Sequence, residues 1–214
     1  MKVQQIKSRL LILLTSLVIS NVSFAAAPVA NSPSINTVTK GLAETTIDGT
    51  SKAALIGAGV GQLTNAAANQ YMSNQENELR TQTAPNLSLE GVSVIRDGNR
   101  IHLILPAQAS FTKDSTDTNA DLIRILDTIA TIERKYNSTF INVTGNADAS
   151  ESNQNNLGLR RANNVAAYLQ HQGIPYERLQ SNSKGARNPL GSNDNTKGRT
   201  LNRRIDITLI PLTK

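Results

Sequence analysis

The stretch from Val92 to Pro106 constrains the fold more than any other part of the chain. Val92 and Val94 lead into Asp97-Gly98-Asn99, and Ile101, Leu103 and Leu105 follow. Apolar residues two apart on either side of such a turn predict two strands joined tightly. Alternating strands need one face covered, so the chain that follows must supply the cover. Leu122, Ile125, Leu126, Ile129 and Ala130 recur at helical spacing. They predict an amphipathic helix over 120–136, with N-cap candidates between Ser115 and Asn119. Phe140, Ile141 and Val143 predict a short strand, and Asn156 to His171 a second helix ended by Gly173 and Pro175. Leu179 opens another extended piece. Residues 185–199 read as a long polar loop. Arg204 to Pro211 closes the chain as a strand, with Ile205, Ile207 and Leu209 on one face and Asp206 and Thr208 on the other. The fold class is therefore α/β: a two-layer sandwich of βαβαβ type. Its sheet is mixed, because helical crossovers join some strands. The helices lie on one face and leave the other partly wet.

The core must come from Leu, Ile, Val and Ala, since the chain has no Trp and only three Phe and four Tyr. It has no Cys, which excludes disulfides and thiolate metal sites. The net charge of +6 raises the question of an anionic partner. Lys2, Lys7 and Arg9, however, precede an apolar run from Leu10 to Ile19 and then small residues, with Ser23 and Ala25 at cleavage-site spacing. That pattern predicts a secretory signal over 1–25 rather than a membrane span, for which the run is too short. Part of the positive charge thus belongs to the address, and no nucleic-acid partner is expected.

Residues 26–86 read as a flexible tether containing a small-residue segment and a short helix. Ala, Ser, Thr, Asn and Pro dominate its first half. In residues 53–63, Gly57 and Gly61 stand four apart, a spacing that lets helices approach closely in lipid, but a single such pair fits a plain loop or a soluble helix better. Ala66 to Arg80 predicts a helix of mostly polar surface, a spacer or weakly docked arm, ended by Pro85. The folded domain spans 87–214.

The two histidines, His102 on a strand and His171 in the last turn of a helix, lack the company of a catalytic or metal motif and read as structural. No metal or cofactor site is expected. The informative stretch is Gly145-Asn146-Ala147-Asp148, continuing to Leu157-Gly158-Leu159-Arg160-Arg161-Ala162. Asp148 follows a strand. Arg161 shares a helix face with Leu157, Val165, Tyr168 and Leu169, so it interrupts an apolar stripe and calls for an anion. Asp148 is the nearest candidate. One reading is a structural salt bridge that fixes the loop. The other is a divided site, in which the acid takes an ammonium and the arginine fork takes a carboxylate of one zwitterion. Spacing alone leaves both open.

These residues resemble the signature of the OmpA-like peptidoglycan-binding family, shared with Pal lipoproteins and flagellar stator proteins. There a Gly-His-Thr-Asp turn precedes an Asn-x-x-Leu-Ser-x-x-Arg-Ala helix start; here Gly145 to Asp148 and Gln154 to Ala162 stand in those places. Tyr168-Leu169, Gly173-Ile174, Arg178-Leu179, Ser192-Asn193-Asp194, Gly198-Arg199 and Asn202-Arg203-Arg204 follow in the family's order, and the likeness covers roughly 91–211. Asn146-Ala147 replaces His-Thr, Gly158 replaces Ser, Gln154 replaces Asn, and the loop after Asp148 is shortened. The resemblance implies non-covalent binding of the diaminopimelate of the peptidoglycan stem peptide by Asp148 and Arg161. Asn146, Asn193, Arg199 and Arg203 lend support, though Arg199, Arg203 and Arg204 also suit hydrogen bonds that fix the terminal loop to carbonyls, Asn193 or Asp194. It also implies a periplasmic, outer-membrane-associated protein that tethers the envelope to the wall. The alternative is a structural part of an envelope-spanning complex, docked mainly to protein. A hydrolase would need a paired acid set, a metal or an activated nucleophile. None is recognisable, so no enzymatic activity is expected.

Overall fold

The computed structural model describes residues 47, 49–83, 93–105 and 111–214. All of them belong to the unit spanning 33–214. The expected signal over 1–25, the first part of the tether, Pro85, Val92 and Pro106 lie outside the described residues.

Five strands form one sheet: β1 (Ser93–Asp97), β2 (Arg100–Leu105), β3 (Thr139–Asn146), β4 (Leu179–Gly185) and β5 (Ile205–Pro211). Their spatial order is β1-β2-β5-β3-β4, with β3 and β4 parallel and the other neighbours antiparallel. The hairpin forms where the alternation placed it, and Gly98 supplies the left-handed backbone of its turn (φ 54°). The last strand lies inside the sheet, between β2 and β3. Both β3 and β5 are buried along their whole length.

Helices α3 (Ala120–Lys135) and α4 (Gln154–His171) cover one face. Asn119 caps α3, its side chain accepting the Leu122 N–H at 2.8 Å. Leu122, Ile125, Leu126 and Ile129 of α3 and Ala162, Val165 and Leu169 of α4 meet Leu103, Ile141, Val143, Ile205, Ile207 and Leu209 of the sheet in one core. The two layers follow from period-two apolar residues facing period-3.6 ones.

Two expectations are corrected. The helix α2 (Asn65–Thr83), expected as a spacer or weakly docked arm, is docked along its length. It buries Ala68, Met72, Gln75, Leu79 and Thr83, one residue per turn, and Met72 and Leu79 join the main core. The second sheet face is not wet at its centre: His102, Asn142, Asp206 and Thr208 are buried there. These polar groups bond across strands, as in His102 Nδ1 with Thr208 Oγ1 (3.1 Å) and Asn182 with Asn142 (3.0 Å). One end of this face carries α1 (Gly49–Gly57), whose Leu55 packs with Phe140, Ile210 and Leu212. The small-residue segment thus begins as a helix seated on the sheet. No helix among the described residues is long and apolar enough to cross a membrane.

A buried polar lock holds α2 down. Gln75 donates to Glu133 at 2.6 Å, and Arg178 pairs with the same carboxylate at 3.0 Å. Burial pushes the Glu133 carboxyl up to about 7, with Arg178 and Gln75 pulling the other way. The folded chain therefore holds a proton more tightly than the unfolded chain. This contribution to stability is complete below the ordinary glutamate range and is lost as pH rises through about 7. Urea midpoints of wild type and Glu133→Gln measured at pH 5 and pH 8 test this. Relative to the variant, wild type is expected to lose stability at the higher pH. A difference independent of pH would refute the shift.

Candidate functional site

The site lies where β3 runs out. Asn146 ends the strand, Ala147 and Asp148 follow, and the loop returns through Glu151 to α4. Strand and helix approach closely because Gly145 faces Gly158. A Cβ on Gly145 would lie 1.8 Å from the Gly158 carbonyl oxygen, and one on Gly158 would lie 2.7 Å from the Gly145 oxygen. The departure from serine at 158 thus has a steric reason in this chain.

Asp148 and Arg161 are both brought to this mouth, and neither side chain is exposed. They do not pair with each other. Asp148 Oδ2 accepts Arg203 at 2.6 Å, and Oδ1 accepts the Ser150 N–H at 2.6 Å. Burial alone would raise its pKa; the bonds from Ser150 and Arg203 outweigh it and hold the carboxyl below the usual aspartate range. Arg161 takes Glu151 instead, through two parallel bonds: Nη1 to Oε2 at 3.0 Å and Nη2 to Oε1 at 2.6 Å. Its other three N–H groups reach the carbonyls of Ser115 (2.9 Å), Asn146 (3.3 Å) and Thr112 (3.2 Å). All five guanidinium donors are used, and the group stacks over the Phe111 ring at 4.9 Å. The anion that Arg161 required is thus Glu151, a residue that the spacing argument passed over. The separation of ten residues fits no helical or strand rule. The signal that could have found it was a second acid in a loop too short to keep it away from the guanidinium.

Glu151 links the two halves. Its carboxylate accepts the Asp148 N–H at 3.1 Å and the Asp114 N–H at 2.9 Å as well as the Arg161 fork. Among the supporting residues, Asn146 donates to Asp206 at 2.8 Å. Asn193 accepts the Ala149 N–H at 3.0 Å and so tethers the loop tip. Arg199 donates to the Asn193 carbonyl at 2.8 Å, a loop-fixing role. Arg203 serves Asp148 instead, and Arg204 turns away to Asp206 at 2.9 Å. His102 lies on the second sheet face, and burial lowers its pKa. No cluster of three His, Cys, Asp or Glu able to hold a metal occurs among the described residues.

This arrangement and the order of strands can be set beside known proteins. The OmpA family matches residues 110–203. That part of the chain is an OmpA-family domain. The chain is 34% identical over 144 residues to the probable lipoprotein YiaD of Escherichia coli K12, a match covering 66% of this chain and 64% of that one. It thus spans less than two thirds of the length of this relative. Among solved structures, a putative MotB-like protein from Desulfovibrio vulgaris superposes with a TM-score of 0.61 at 23% identity, covering 69% of this chain and 95% of the other. The periplasmic domain of Helicobacter pylori MotB gives 0.53 at 27% identity, covering 57% and 80%. The five-strand mixed sheet with helices is the fold that these structures share.

Proposed function

We propose that the domain holds peptidoglycan non-covalently through the diaminopimelate of its stem peptide and so tethers the envelope to the wall. The observation that supports this most is the meeting of a buried carboxylate and a buried guanidinium at one mouth of the sheet, each held by a different counter-ion. A zwitterionic end with an ammonium and a carboxylate matches that pair in charge and in kind of hydrogen bond. Asp148 takes the ammonium and Arg161 the carboxylate. Arg203, Asn193 and Arg199 keep the surrounding loops in place. Membership in a family that generally binds peptidoglycan supports the same reading, as does the periplasmic description of the H. pylori MotB domain. The location that follows is the periplasm, at the outer membrane.

Co-sedimentation with purified sacculi tests the proposal. Asp148→Asn keeps shape and removes charge, and a hydrogen bond to a charged group contributes about 1.5–3 kcal/mol. The variant is expected to bind about ten- to a hundredfold more weakly. Equal sedimentation of a folded Asp148→Asn chain would remove Asp148 from the site.

The second reading, docking mainly to protein within an envelope complex, draws on the saturation of Arg161 by protein acceptors. It expects a stoichiometric partner from an envelope extract together with no binding to sacculi.

A further inference from the structure

Four donors converge on the Glu151 carboxylate: two N–H groups of the Arg161 fork, the Asp114 N–H and the Asp148 N–H, between 2.6 and 3.1 Å away. A guanidinium fork with two backbone amides is a complete receptor for a carboxylate. In this chain the receptor is filled from within. We infer that Glu151 is a displaceable internal occupant of the carboxylate-binding half of the site, and that a peptide carboxylate binds by taking its place. The inference rests on the peptidoglycan reading and adds to it a residue that sets affinity by competition.

The surroundings of Glu151 suit a segment that can leave. It is the buried member of a short loop whose neighbours Ala149, Ser150, Ser152 and Asn153 are exposed. Asn153, at the start of α4, has a left-handed backbone (φ 45°) and makes no side-chain capping bond. Asp114, which faces the loop from the other side and accepts the Ser152 N–H at 2.8 Å, has φ 57°. These are the two non-glycine residues with positive φ among the described residues, and both border Glu151. Such a backbone carries a conformational cost in each residue. Withdrawing Glu151 offers relief on both sides, while the Arg161 fork keeps its three carbonyl bonds and its seat over Phe111. The ligand's carboxylate would restore the charge pairing that Glu151 gives up.

A ligand that must first displace an occupant binds more weakly in proportion to the fraction of open receptor. If the site is open about a tenth of the time, removing the competitor tightens binding about tenfold. The test is calorimetric titration of the full chain, wild type and Glu151→Gln, with a tripeptide ending in diaminopimelate, alongside sedimentation with sacculi. A gain of about tenfold in the variant is the expected result. Because the variant could fold poorly, a second measurement is made on wild type. Saturating peptide should speed hydrogen exchange at the Glu151 and Ser152 amides, whose bonds to the Asp148 carbonyl (3.2 Å) and the Asp114 carboxylate (2.8 Å) break when the loop withdraws. Equal or weaker affinity in a folded variant, or amides as protected with peptide as without it, overturns the inference and leaves the wall-binding proposal standing. Absence of binding to peptide and sacculi in both chains overturns the proposal itself, and the inference with it.

Discussion

Replacing Gly145 by alanine is expected to cost about 3 kcal/mol or more and to lower the melting temperature by about 6–12 °C. The new methyl group would enter the space of the Gly158 carbonyl oxygen and carbon, 1.8 and 2.6 Å away. Both are backbone atoms of α4, so no side-chain rotation relieves the clash. Strand and helix must separate instead, and the core between Ile141, Val143, Ala162 and Val165 opens with them. Gly158→Ala should be the milder change, since one of its contacts, Ser183 Oγ at 2.4 Å, is a side-chain atom that can rotate away. Gly57→Ala serves as the control, having nothing within 4 Å of the added atom. Guanidinium unfolding of the three variants checks the order. A Gly145→Ala midpoint equal to that of the control would show that β3 and α4 are not locked by this contact.

The second large effect is expected at Arg178. This side chain, 1% exposed, donates to the carbonyls of Thr139 (2.7 Å), Glu133 (2.8 Å) and Tyr136 (2.9 Å) as well as to the Glu133 carboxylate. It closes the end of α3 and neutralises a buried acid at once. Breaking a buried ion pair by removing one member costs about 3–5 kcal/mol, because the acid left behind must stay charged without solvent or take up a proton. Arg178→Met should reach that range in equilibrium unfolding. Adding Glu133→Leu to it should recover part of the loss, since two apolar residues leave no stranded charge. If the double variant is less stable than Arg178→Met alone by the full cost of Glu133→Leu, the two residues act independently and the coupling described here is absent.

Much of the architecture was legible in the sequence because the faces of its elements differ sharply. The hairpin, α3, α4 and the closing strand carry their apolar residues on one side, and period alone separates strand from helix. The apolar residues that predict β3 stop at Val143, and Thr144, Gly145 and Asn146 carry no such signal. It continues because β4 and β5 pair with it on both sides, whatever its side chains. The polar loop at 185–199 hides the start of a short helix, α5 (Thr196–Asn202), capped by Asn195 accepting the Gly198 N–H at 2.7 Å. Its seven residues offer too little period to recognise. In α2, average polarity masks a stripe of one buried residue per turn.

The candidate site was legible in which side chains gather at the mouth more than in how they pair. Asp148 and Arg161 stood out as an acid beyond a strand and a cation on an apolar stripe, and both do meet at the mouth. Which acid meets which base depends on how a short loop folds back and on where Arg203, distant in sequence, returns. Neither follows from spacing.

The way residue 63 is fastened has a mechanical consequence. Leu63 forms a parallel bridge with Thr213 just beyond β5, through its N–H to the Leu212 carbonyl (2.8 Å) and its carbonyl from the Lys214 N–H (3.0 Å). That fastening is at the far end of the sheet from Asp148 and Arg161: Thr139 pairs with Pro211 there, while Gly145 pairs with Ile205 beside the site. Tension applied upstream of residue 63 and resisted at the mouth runs lengthwise along β3 and β5. Their hydrogen bonds lie across that line and are strained together in shear, rather than peeled one at a time. A load along that line meets the cross-strand hydrogen bonds together rather than one after another.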